Sequence, residues 1–89
     1  MSGTTELERF ERANAYEHEL FDEKKTQVEM TLEYPEKYGE ITPLEALSAY
    51  GCFRLGARIA DLRADGHNIV TEINKGKKNY AIYRLESED

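Results

Sequence analysis

The stretch GCFRLGARIADLRADGHNI, residues 51–69, decides how this chain reads. Leu55, Ile59 and Leu62 fall at i, i+4 and i+7, one apolar stripe on a helix of 3.6 residues per turn. Arg54, Arg58, Asp61 and Asp65 fall on a neighbouring stripe that faces water. The spacing predicts a helix over Phe53–Asp65. Gly66 stops it, at the place where a left-handed residue closes the last turn.

Working outward, the segment ITPLEAL (41–47) carries the sharpest local signal upstream. Thr42 is an N-cap, Pro43 stands at the first helical position and Glu45 completes a capping box at N3. The helix that follows, Pro43–Tyr50, is expected to offer Leu44, Leu47 and Tyr50 to a core. Gly51 ends it, which leaves a loop of two or three residues before the next helix. Downstream, Asn68–Ile73 is β-branched and alternating, Asn74–Asn79 is a glycine-containing turn, and Tyr80–Leu85 is a second strand with Ala81, Tyr83 and Leu85 on one face. Ile41 is placed to add a third short strand.

Residues 4–34 read as mostly helical. Thr4 and Thr5 can cap, Glu6 and Glu8 suit the positive end of a first turn, and Leu7, Phe10, Ala13, Tyr16 and Leu20 recur every three or four residues. Val28 and Leu32 continue a stripe. One long helix and two helices broken near Phe21–Lys24 both fit. Pro35 is expected to end the helical run, leaving Tyr38-Gly39-Glu40 as a loop. The prediction is an α+β, mainly α fold: a winged helix-turn-helix with a C-terminal β-hairpin wing and an acidic helical N-terminal extension. Residues 1–40 form the extension and first helix, 41–85 the winged helix-turn-helix, and 86–89 an acidic tail.

Charge is unevenly spread over the 89 residues, whose net charge is −6. Residues 1–40 hold five Lys/Arg against eleven Asp/Glu; residues 41–85 hold seven against four, a net of +3. A mildly basic module thus sits between acidic flanks. No apolar run is long enough to span a membrane, and the polar N-terminus is unlike a signal peptide, which together predict a cytoplasmic protein. The single cysteine, Cys52, reads as a small buried residue of the turn. His18 and His67 have no recognisable metal or catalytic context, so no catalytic residue, no metal and no cofactor are expected.

Three segments, ITPLEAL, RL-x-ARI-x-DLR and DG-x-x-I-x-TE, followed by YAIYRL, resemble the small winged helix-turn-helix domains common in phage and prophage genomes. The resemblance covers residues 41–85. It implies a phage-derived protein that binds DNA in the host cytoplasm, with a role in transcription regulation. Residues 1–40 depart from it, since a longer acidic segment stands where such domains have a short first helix.

Two functional readings follow. In the first, Arg54 and Arg58 lie near the start of the predicted helix, away from its apolar stripe, where contacts to double-stranded DNA concentrate. Lys75, Lys77 and Lys78 in the hairpin turn would hold phosphates. Against this stands a solvated face of mixed charge, in which Asp61 pairs with Arg58 at i, i+3. Arg63 is expected to make a surface or inter-element salt bridge, for instance to an acid of the first helix, and Arg84 to be structural. In the second reading the acidic N-terminal helix, through Glu17, Glu19, Asp22 and Glu23, occupies the basic groove of a host protein, as a phage-encoded inhibitor of the anti-CRISPR or DNA-mimic kind would. Leu7, Phe10, Tyr16 and Leu20 could otherwise form the seam of a homodimer.

Overall fold

A computed structural model describes residues 5–75 and 79–86. The order of elements is α1 (Glu6–Glu19), α2 (Gln27–Tyr38), β1 (Glu40–Ile41), α3 (Pro43–Tyr50), α4 (Leu55–Ala64), β2 (Ile69–Asn74) and β3 (Tyr80–Leu85). The N-terminal helical region is therefore two helices, separated between Leu20 and Thr26. Three helices start on the same device. Thr5, Thr26 and Thr42 each accept a hydrogen bond from the N3 amide, and Glu8, Glu29 and Glu45 each reach back to the cap amide.

Pro35 does not end α2, which runs on to Tyr38 and stops at Gly39, in the left-handed region at φ 91°. The proline removes one intrahelical donor close to the C-terminus. Tyr34 and Pro35 are both buried, so packing of this last turn outweighs the lost bond. Two boundaries also differ from expectation. The connection from α3 to α4 is four residues long, Gly51–Arg54, because Arg54 takes a non-helical backbone (φ −123°, ψ 61°) and α4 begins only at Leu55. Strand β2 is displaced by one residue, to Ile69–Asn74. The stop at Gly66 is as the sequence predicts: its φ is 104°, its amide donates to the Arg63 carbonyl and the His67 amide to the Leu62 carbonyl, a Schellman closure.

The three strands form an antiparallel sheet in the order β1-β3-β2, with Ile41 opposite Tyr83 and Ile69 opposite Leu85. Ile41, Ile69, Tyr83 and Leu85 thereby share one face and pack on the core. Leu55, Ile59 and Leu62 of α4 are buried there, with Met30 and Tyr34 of α2 and Ala46, Ala49 and Tyr50 of α3. Tyr16 of α1 is fully buried between the rings of Tyr34 and Tyr50, at centroid distances of 5.3 and 6.1 Å. The Tyr50 hydroxyl donates to Thr31 Oγ1 at 2.6 Å, and Thr31 passes its own proton to the Gln27 carbonyl. Cys52 is buried beneath the α3–α4 turn.

Two apolar stripes are only partly used. Leu44 and Leu47 are 68% and 39% exposed, and Leu7 and Phe10 also face outward. The reason is ionic. Arg9 and Arg12 of α1 are drawn inward to Glu40 and Glu45, and this rotates α1 and α3 so that arginine, glutamate and alanine take the seam. Likewise Met30, Thr31 and Tyr34, rather than Val28 and Leu32, form the fully buried face of α2. Full burial of Tyr16 also removes it from the surface seam expected of a homodimer.

Candidate functional site

The arginines divide sharply by what surrounds them. Arg9 donates to Glu40 at 2.6 Å, Arg12 donates to both Glu40 and Glu45, and Tyr34 donates to Glu45 at 2.6 Å. Glu45 is also the capping residue of α3, so one buried carboxylate serves three elements. Burial alone would raise the Glu40 pKa, but the charges and hydrogen bonds of Arg9 and Arg12 dominate and hold it below the usual carboxylate value. Burial also disfavours the Arg12 charge, yet the bond to Glu45 more than offsets it and the guanidinium is held firmly protonated. Burial and the hydrogen bond to Glu45 together push the Tyr34 hydroxyl up.

Arg84 bridges Glu40 at 3.3 Å and Glu72 at 3.2 Å across the sheet, a structural role. Arg63 departs from expectation. It makes no bridge to α1; it donates to the Ile69 carbonyl at 3.1 and 2.9 Å and to Thr71 Oγ1 at 2.7 Å, tying the end of α4 to β2. Arg58 and Asp61 form the i, i+3 pair at 3.4 Å, with both side chains partly exposed. The pair lacks hydrogen-bond geometry at Nε, so it restrains Arg58 only weakly.

Arg54 stands apart. It is exposed at the N-cap of α4 and makes no side-chain hydrogen bond or ion pair among the described residues. The helix it opens differs from the other three: it has no side-chain cap and no acidic residue in its first turn. Its leading amides and the positive end of its dipole are left open beside an arginine, an arrangement suited to an anion such as phosphate. Lys75 is exposed where β2 leaves the sheet. Lys77 and Lys78 lie outside the described residues. Glu17 and Glu19 are exposed at the end of α1, and Asp22 and Glu23 in the α1–α2 connection.

Helix α3, a turn and helix α4, backed by a three-stranded sheet whose last two strands form a hairpin, are the parts of a winged helix-turn-helix. The sequence profile of the winged helix-turn-helix domain family matches residues 26–88. The chain belongs to this family. The match opens at Thr26, the cap of α2, so α2 is the first helix of the matched domain and α1 lies outside it. No curated protein and no solved structure matches the chain significantly. Among the described residues, no helix is long and apolar enough to cross a membrane.

Sequence reasoning missed the Arg9–Arg12–Glu40–Glu45 cluster. Its arginines and glutamates are separated from one another by 28 to 36 positions, so no local periodicity brings them together. The only available hint was two arginines one turn apart on an otherwise glutamate-rich helix.

Proposed function

We propose that this winged helix-turn-helix binds double-stranded DNA through the start of α4 and the hairpin. Arg54 makes the leading contact, Arg58 follows one turn later, and Lys75, Lys77 and Lys78 contact phosphates along the wing. The observation that carries the reading is the exception among the arginines: of those in the described residues, Arg54 alone has no partner, and it opens the one helix with no side-chain cap. A cation left unpaired on a protein whose other arginines are all engaged is available for an external anion. The resemblance to phage-encoded domains extends the proposal to a regulatory protein of a phage or mobile element, acting in the cytoplasm of its host.

The test is the affinity for a labelled mixed-sequence duplex as a function of salt. The expected result is binding at low salt that weakens as salt rises, with a slope of roughly 0.9 per phosphate contact. Arg54→Ala together with Arg58→Ala should weaken binding at least about tenfold and reduce the slope by one or two contacts. No binding at low salt, or an unchanged slope in the double variant, overturns the proposal.

A further inference from the structure

A cavity lies between α1 and α3 and reaches the α3–α4 connection at Phe53 and strand β3 at Tyr80. It is a groove of about 560 Å³ whose walls include Phe10, Ala13, Leu44, Leu47, Phe53 and Tyr80. Phe10 is 54% exposed and Phe53 84%, high values for phenylalanine. With Leu44 and Leu47 they leave roughly 450 Å² of apolar side chain facing water, taking about 200 Å² for a whole aromatic residue and somewhat less for leucine. An area of this size matches the largest apolar patch of an ordinary monomer, which is often functional.

The charge around the groove selects its occupant. Arg9 and Arg12 are consumed by internal ion pairs, so the outward charges of α1 are Glu6, Glu8, Glu11, Glu17 and Glu19, with His18 the one basic side chain. Glu6, Phe10, Ala13 and Glu17 recur at i, i+4, i+7 and i+11, so Glu6 stands at one end of the strip that α1 gives to the groove and Glu17 lies on the same helix face beyond the other. The exposed surface of α3 (Pro43, Leu44, Leu47, Ser48) carries no charge. A second copy of this chain seated here by a two-fold axis would set glutamate against glutamate. An anionic duplex is disfavoured by the same acids.

We propose that the α1–α3 groove docks an amphipathic helix of a partner protein, one whose apolar stripe is flanked by lysines or arginines. The stripe fills the space between Phe10 and Leu44, and its basic flanks meet Glu6 and Glu17, the helix-in-groove mode of recognition. Of the four acids singled out in the sequence, none lines the groove; Glu17 lies beyond its end on the same face of α1 as Phe10 and Ala13. The groove adjoins the proposed DNA surface, since Phe53 precedes Arg54 and Tyr80 opens β3, but Phe10 and Leu44 on α1 and α3 are no part of the DNA contacts proposed above.

The test uses the full chain and two labelled 18-residue helical peptides that share one leucine–phenylalanine stripe, one flanked by lysines and one by glutamates. Anisotropy should show the lysine peptide binding at least about tenfold more tightly than its acidic twin at low salt, with the gap closing as salt screens the rim. Phe10→Ser together with Leu44→Ser should weaken the lysine peptide about tenfold while leaving the thermal melt and the affinity for duplex DNA unchanged. Both positions are exposed, so the fold is expected to tolerate the change. Equal binding of the two peptides, binding of neither, or an unaffected double variant overturns the proposal. So does a concentration-dependent dimer in sedimentation that the double variant abolishes, because that assigns the groove to a second copy.

Discussion

Helix α3 is held on its two sides by opposite chemistry. Toward α1, the seam is a network of charges: Arg9 and Arg12 meet Glu40 and Glu45, closed over by the Tyr34 hydroxyl. Toward α4 and the sheet, contact is hydrocarbon, from Leu55, Ile59, Leu62 and Ile69. The apolar side tolerates adjustment, because dispersion contacts have no fixed direction. The ionic side does not. Arg9, Glu40, Glu45 and Tyr34 are buried and Arg12 is partly so, and a partner removed leaves an uncompensated charge. The same contrast accounts for the surface. Turning the arginines inward exposes leucine and phenylalanine on the α1–α3 side, whereas filling the α4 side with leucine and isoleucine leaves an arginine outside.

The most damaging way to break this contrast is Glu45→Ala. It removes the carboxylate half of the α3 capping box, leaves the Tyr34 hydroxyl without its acceptor and leaves Arg12 with Glu40 alone, and should cost about 4 kcal/mol in urea unfolding. Glu45→Gln keeps an oxygen for the cap and should cost clearly less. On the opposite side, Ile59→Ala should cost about 3 kcal/mol by opening a cavity, with little dependence on salt or pH. Tyr34→Phe removes a single hydrogen bond to Glu45 and is expected to cost about 1–2 kcal/mol, read from the same unfolding curves.

Acid sharpens the comparison. The Glu40 carboxyl has a folded pKa below its ordinary value of 4.5, so its contribution is complete above that value and is lost as pH falls through the folded value. Stability should therefore be nearly flat above pH 5 and decline below about 4.5, and Glu40→Gln should flatten that decline. Ile59→Ala should shift the whole profile down without changing its acid slope. At the small end, Arg54→Ala should alter stability by less than about 0.5 kcal/mol while weakening DNA binding, since nothing in the described fold leans on that side chain.

How much of this was legible follows the same division. The α4 stripe, the capping box at Thr42, the stop at Gly66 and the hairpin were readable because each is written within a few residues. The orientation of α1 and α3 was not readable. Leu7, Phe10, Leu44 and Leu47 fit an inward stripe as well as any leucines do, and only the long-range pairing of Arg9 and Arg12 with Glu40 and Glu45 turns them outward. Pro35 misled for a related reason: a local rule for ending helices lost to the burial of Tyr34. Of the site, the positions of Arg54 and Arg58 could be read, but the isolation of Arg54 could not. It depends on Arg9, Arg12, Arg63 and Arg84 finding partners on other elements and Arg58 one on its own helix.

The central claim is that nucleic acid and protein are met on adjoining but distinct surfaces, α4 with the hairpin turn for the one and a groove centred on α1 and α3 for the other. The most direct measurement is a titration of the isotope-labelled full chain with duplex DNA, followed by amide chemical shifts. The account predicts that the largest changes fall on Arg54–Asp61 and Thr71–Lys75, while Leu7, Phe10, Leu44 and Leu47 stay in place. Shifts concentrated on α1 and α3, or none at all at low salt, would contradict it.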